Sequence, residues 1–118
     1  MNDTKSLIKT ITDGIQEKKG KGIVIADLTE INDTICDYFI ICEGDSSIQI
    51  NAIVSSIKDF TSKAGVRPTA TDGEENAEWV AMDYGDILVH VFQPERRTFY
   101  NLEHLWADAK LTNIPDLL

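Results

Sequence analysis

Trp79-Val80-Ala81-Met82-Asp83-Tyr84-Gly85-Asp86-Ile87-Leu88-Val89-His90-Val91-Phe92 is the stretch that decides the fold. Two runs rich in apolar residues flank a single glycine. That is the pattern of a tight β-hairpin, because glycine accepts the positive φ that two-residue hairpin turns require. With Tyr84-Gly85 as the turn, Asp83 faces Asp86, Met82 faces Ile87, Ala81 faces Leu88, Val80 faces Val89 and Trp79 faces His90. Alternation along each strand then gives the hairpin two unlike faces. Val80, Met82, Ile87, Val89 and Val91 make an apolar face suited to a core. Trp79, Ala81, Leu88, His90 and Phe92 make a mixed face, with Asp83 and Asp86 near the turn. A slip of one residue would exchange the faces, so the assignment depends on register.

Outward from the hairpin, the chain alternates helical and strand patterns. Leu7, Ile8, Ile11 and Ile15 recur at helical spacing, with Asp3 or Thr4 as the cap and Gly20 and Gly22 as the end. Ile23 to Leu28 reads as a strand apolar on both faces, hence central or covered. Asp37 to Cys42 is a second strand, ended by the turn signal Glu43-Gly44-Asp45. Ser46 with Gln49 three residues on is a capping box, opening a helix striped by Ile50, Ile53, Val54, Ile57, Phe60 and Ala64. Arg67 to Thr71 is a short edge strand, since Pro68 excludes a central one. Asp72 to Asn76 is an acidic loop into the hairpin. Pro94 opens a closing helix with Phe99, Leu102, Leu105, Trp106 and Ala109 on one stripe, ended by Pro115. The expectation is one α/β domain over residues 1–110, with a mixed five-stranded sheet and flanking helices, and a short tail at 111–118.

The totals narrow the classes of function. A chain of 118 residues with 42% hydrophobic residues can bury a core. A net charge of −9 repels phosphate backbones and disfavours direct nucleic-acid binding, while favouring encounter with basic partners. No window approaches the roughly eighteen consecutive apolar residues of a membrane span. The N-terminus lacks the basic and apolar regions of a signal peptide, so a cytoplasmic protein is expected. Cys36 and Cys42 lie in or beside apolar runs at a spacing that matches no zinc or redox motif, and read as buried reduced thiols.

Catalytic constellations are hard to assemble from these residues. Gly44-Asp45-Ser46-Ser47 resembles a phosphate-binding turn but lacks the glycines and lysine of a phosphate loop, and the capping box accounts for Ser46 and Gln49 without a ligand. Asp83 and Asp86 would meet across the turn, yet no third acidic ligand at defined spacing and no phosphate-holding cation accompanies them. Two carboxylates flanking a turn are more often solvated hairpin-end residues. His90 as a general base would need a nucleophile and an orienting acid; its expected neighbour is Trp79, which points to stacking. His104 beside Glu103, and Arg96 and Arg97 after Pro94, sit in ordinary helical contexts. No catalytic residue, metal site or cofactor is indicated.

Taken together, Trp79, Asp83-Tyr84-Gly85-Asp86, Val89-His90-Val91-Phe92, Arg97, Tyr100, Leu102-Glu103 and Leu105-Trp106 resemble the signature of the ribosomal silencing factor family, the RsfS or Iojap-like proteins. Asp37-Tyr38-Phe39 followed by Gly44, Ser46 and Gln49 matches the same family upstream. Three positions depart from its pattern: Glu43 for a common Ser or Thr, Asp72-Gly73 for Glu-Gly, and Ala81 for a larger aliphatic. The resemblance implies a fold similar to nucleotidyltransferases in a family not known for catalysis. It implies binding to the large ribosomal subunit through its L-fourteen protein, which blocks joining of the small subunit and lowers translation when nutrients are scarce. It further implies a homodimer when free. The candidate partner-binding residues are then Trp79, Ala81, Asp83, Asp86, Leu88, His90 and Phe92, rimmed by Glu74, Glu75 and Glu78. The competing readings are a nucleotidyltransferase-like enzyme, an adaptor in large-subunit assembly, or a face in which Trp79 and Phe92 lie under another element or against a second copy.

Overall fold

The computed structural model describes residues 3–31, 36–96 and 109–116. In chain order these hold α1 (Thr4–Glu17), β1 (Lys21–Asp27), β2 (Tyr38–Glu43), α2 (Ser47–Lys63), β3 (Ala70–Asp72), β4 (Trp79–Asp83), β5 (Ile87–Phe92) and β6 (Lys110–Ile114). The strands form one six-stranded sheet in the order β3-β4-β5-β2-β1-β6. β2 and β5 run parallel and every other neighbouring pair is antiparallel. Parallel neighbours need a long crossover, and α2 lies within the connection from β2 to β5.

Both helices start on local chemistry. The Asp3 carboxylate accepts from the Ser6 N–H at 2.7 Å and caps α1; these hydrogen bonds hold its carboxyl below the usual range. Ser46 caps α2, its Oγ accepting from the Gln49 N–H at 3.1 Å. The return bond expected of Gln49 falls one residue earlier: its Oε1 accepts from Asp45 N–H at 2.7 Å. Its Nε2 meanwhile donates to the carbonyls of Lys18 and Lys19, tying the start of α2 to the end of α1. The helices cross closely at Gly14, where a Cβ would stand 3.1 Å from the Ile57 Cα, and Ser56 Oγ donates to the Gly14 carbonyl at 2.7 Å.

One face of the sheet packs against this helix pair. Val80, Met82, Ile87, Val89 and Val91 are fully buried there with Ile11, Ile15, Ile40, Ile50, Ile53 and Ile57. That is the face expected to be core, and each such side chain contributes about 1.5–3 kcal/mol by leaving water.

The hairpin register differs from the expected one by two residues. Trp79 pairs with Phe92, Ala81 with His90, Met82 with Val89 and Asp83 with Leu88. The turn is therefore Gly85-Asp86, closed by the Tyr84 N–H donating to the Ile87 carbonyl at 2.9 Å, with Gly85 at φ 87° in its first central position. Tyr84 is freed from the turn and turns its ring toward α2, where its hydroxyl shares a 3.0 Å hydrogen bond with Thr61 Oγ1. An even shift leaves every side chain on its expected face. The strand count also differs. Residues 110–114, expected as a helix end and tail, form β6 along β1. Phe99, Leu102, Leu105 and Trp106 of the expected closing helix lie outside the described residues.

Candidate functional site

Because strand partners share a face, the mixed face of the hairpin continues across the whole sheet in rows. Asp72, Ala81, His90, Ile41, Val24 and Asn113 form one row. Ala70, Asp83, Leu88, Phe39, Ala26 and Leu111 form the next. Trp79, Phe92 and Glu43 form a third toward the other end.

The candidate residues divide by exposure along these rows. Phe92 is fully buried and His90 is 4% exposed, so neither presents the free surface expected of it. Phe92 belongs to a second core cluster with Ala26, Leu28, Cys36, Phe39 and Ile41, and the His90 ring lies against its Phe39 and Phe92. The rings of Phe39 and Trp79 pack against His90 and Phe92 and cover them. Trp79, Ala81 and Leu88 are half-buried, and Asp83 and Asp86 are exposed. These five form the accessible part of the candidate face.

Trp79 is held from three sides. Its indole stacks on Phe92 at 5.2 Å between ring centroids with 19° between planes. Its contact with His90 is not the expected stacking: the rings lie 5.8 Å apart and tilted by 34°, and its Nε1 donates to His90 Nδ1 at 3.0 Å, a bond no sequence pattern indicated. Its backbone is closed in by the acidic loop: Gly73, at φ 93°, leaves no space for a Cβ, which would collide with the Trp79 carbonyl oxygen. Gln93 adds a clamp, its N–H donating to the Glu78 carbonyl at 2.8 Å and its Nε2 to the Ala77 carbonyl at 3.1 Å. Beside the indole is a cleft of about 230 Å³ lined by Gly73, Asn76, Glu78 and Arg96.

His90 is the unusual member. Accepting at Nδ1 places its proton on Nε2, and Nε2 is buried with no hydrogen-bond partner among the described residues. An unmade buried hydrogen bond costs about 1–3 kcal/mol. Burial pushes the imidazole pKa down from 6.5 to about 4, so the ring is neutral at pH 7. Phe39, whose place here no sequence pattern indicated, meets it edge-on at 5.0 Å.

Asp83 and Asp86 lie at the turn end of the hairpin, whereas the acidic loop with Glu74, Glu75 and Glu78 enters it at the opposite end, beside Trp79. Asp83 accepts from the Gly85 N–H at 2.7 Å, the hairpin-end role expected of a turn-flanking carboxylate. The Asp86 carbonyl accepts from the N–H groups of Asp37 and Tyr38, which brings the start of β2 to the same end. Glu74 and Glu78 are paired with Lys58 and Arg96 at 3.1 and 2.7 Å. Asp83, Asp86 and Glu75 have no cation against them among the described residues. Asp45 pairs with Lys21 at 3.0 Å beside the capped start of α2. Burial raises the Cys36 thiol to about 11, with Asp37 and Asp83 adding to the push, so it is held as a thiol. Arg97, Tyr100, Glu103, His104 and Trp106 lie outside the described residues.

The family profile described as "Ribosomal silencing factor during starvation" matches residues 1–118. The ribosomal silencing factor RsfS of Bacillus subtilis is 38% identical over 110 residues, covering 93% of this chain and 92% of its own. The mouse protein named "Mitochondrial assembly of ribosomal large subunit protein 1" is 30% identical over 74 residues, 60% of this chain and 32% of its own. A crystal structure of a Chromobacterium violaceum protein superposes with a TM-score of 0.85 at 31% identity, covering 90% of this chain and 88% of that one.

Proposed function

The chain belongs to the ribosomal silencing factor family, and from that premise we propose that it binds the large ribosomal subunit through ribosomal protein L-fourteen and so blocks joining of the small subunit. Translation is thereby repressed under nutrient limitation, in the cytoplasm where the ribosomes are. The family's relatives carry the name of a silencing factor rather than of an enzyme, and occupancy of a surface needs no catalytic pocket. Among the described residues no helix is long and apolar enough to cross a membrane.

The observation that carries this reading is the half-buried Trp79 at one end of the hairpin face, with Ala81 and Leu88 along the same face and Asp83 and Asp86 exposed at its turn end. A large aromatic in an apolar patch with a charged rim is the composition of an interface hot spot. Ribosomal proteins are typically basic, and the acidic turn end of the sheet complements them. His90 and Phe92 belong to this site as the floor beneath Trp79. When no ribosome is present, the expected state is a homodimer.

The test is sedimentation with purified subunits. The protein is expected to travel with large but not small subunits, and Trp79→Ala to lose on the order of 2 kcal/mol of binding with its fold intact. Large-subunit binding by Trp79→Ala at full strength would sink the contact reading. A second reading, help in large-subunit assembly, is favoured by the name of the mouse relative. It predicts that deleting the gene leaves precursor large subunits, whereas the first reading predicts mature subunits that join too readily in starved cells.

A further inference from the structure

We propose that His90 is a positioning residue for the ribosome contact: its Nδ1 fixes the Trp79 indole in the orientation that a large-subunit protein meets, although His90 itself touches no partner. The inference rests on the contact reading above. Trp79 lies flat on Phe92, 19° from parallel. Stacking alone leaves an indole able to turn within its own plane, because a phenyl face has no direction along it. The Nε1–H···Nδ1 bond at 3.0 Å supplies the missing direction. It runs diagonally across the hairpin, since the residue directly opposite His90 is Ala81, whose small side chain leaves room for the indole to reach over.

The neighbours of His90 give no other reason for a polar side chain at this place. Phe39, Ile41, Phe92 and Leu88 surround its place in the sheet, a site that Leu would fill without any polar atom. The histidine instead buries an Nε2–H with no partner among the described residues, which an aliphatic side chain would not. A buried polar group left unsatisfied needs a reason. Among the described residues, the one polar interaction the ring makes is the acceptor it offers to Trp79. His90 is buried while Trp79 is half-exposed, so any effect of His90 on a partner passes through the indole.

The experiment compares His90→Leu, His90→Gln and Trp79→Ala with the unmodified chain. NMR reads the indole N–H, the two tryptophans being told apart with Trp79→Phe, and sedimentation reads large-subunit binding. In His90→Leu the Trp79 indole proton should move upfield and exchange faster with water, while binding weakens about fivefold, the worth of one hydrogen bond. His90→Gln keeps an acceptor oxygen and should restore most of both. In the unmodified chain the ¹⁵N spectrum should show His90 protonated at Nε2 and bare at Nδ1. The opposite tautomer would overturn the proposal, and because it is read without any substitution, a failure of His90→Leu to fold does not protect the idea. Normal binding by a folded His90→Leu alongside weakened Trp79→Ala overturns the positioning role alone. Normal binding by Trp79→Ala overturns the contact reading beneath it.

Discussion

Acid should destabilise this protein through His90 in a way that one substitution removes. Burial lowers the imidazole pKa from 6.5 to about 4 in the folded chain. The unfolded chain therefore takes up a proton first as pH falls, and stability declines through the interval between the two values. Above pH 6.5 the ring is neutral in both states and contributes nothing to the slope. Below about 4 it is charged in both, and the full loss of about 3 kcal/mol has accrued. About 2 kcal/mol of that is already gone at pH 5. Protonation also puts a hydrogen on Nδ1, which can then no longer accept from Trp79. The assay is urea unfolding at pH 7, 6, 5 and 4.5 of the unmodified chain and of His90→Gln. The acidic groups of this chain titrate over the same range, but they are common to both proteins and cancel in the difference. The stability of the unmodified chain relative to His90→Gln should fall by about 2 kcal/mol between pH 7 and pH 5. A difference that stays flat across this range would refute the claim that His90 is folded away as a neutral ring.

Further outcomes follow from the geometry. Gly85→Ala should cost about 1 kcal/mol, because its φ of 87° strains a Cβ that otherwise meets open space. Gly73→Ala should cost clearly more and also shift the Trp79 indole resonance, since its Cβ would run into the Trp79 carbonyl; equal costs for the two, by urea unfolding, would contradict the loop packing. Met82→Ala should lose about 2–5 kcal/mol of stability, as a fully buried side chain between the sheet and helices, measured by the same method. Cys36 should resist thiol reagents at pH 8 in the folded protein and react at the rate of unfolding, since its pKa is raised to about 11 by burial; fast labelling of folded protein would show the thiol to be exposed.

Local patterns carried most of the architecture. The caps Asp3 and Ser46, the helix stripes and the apolar hairpin face are all legible in runs of a few residues, because each depends on neighbours in the chain. The hairpin turn was misplaced since Tyr84-Gly85 and Gly85-Asp86 both contain the required glycine. The choice fell to a distant partner, Thr61 on α2, which holds the Tyr84 hydroxyl. Residues 110–114 continue an apparent helical stripe, yet they pair along β1, whose open edge is known only once the sheet is assembled.

The candidate site follows the same division. The sequence by itself determined which residues share the mixed face, because alternation survives an even shift of register. It also carried, through Trp79, Asp83-Tyr84-Gly85-Asp86 and Val89-His90-Val91-Phe92, the likeness that the whole-chain family match bears out. Only the tertiary structure decided which of those residues reach the surface. Burial is a property of what packs against a side chain, and the parallel pairing of β2 with β5 joins residues far apart in the chain. That pairing sets Phe39 against His90; Phe39 and Trp79 then cover His90 and Phe92, with the Trp79 indole N–H turned inward to Nδ1.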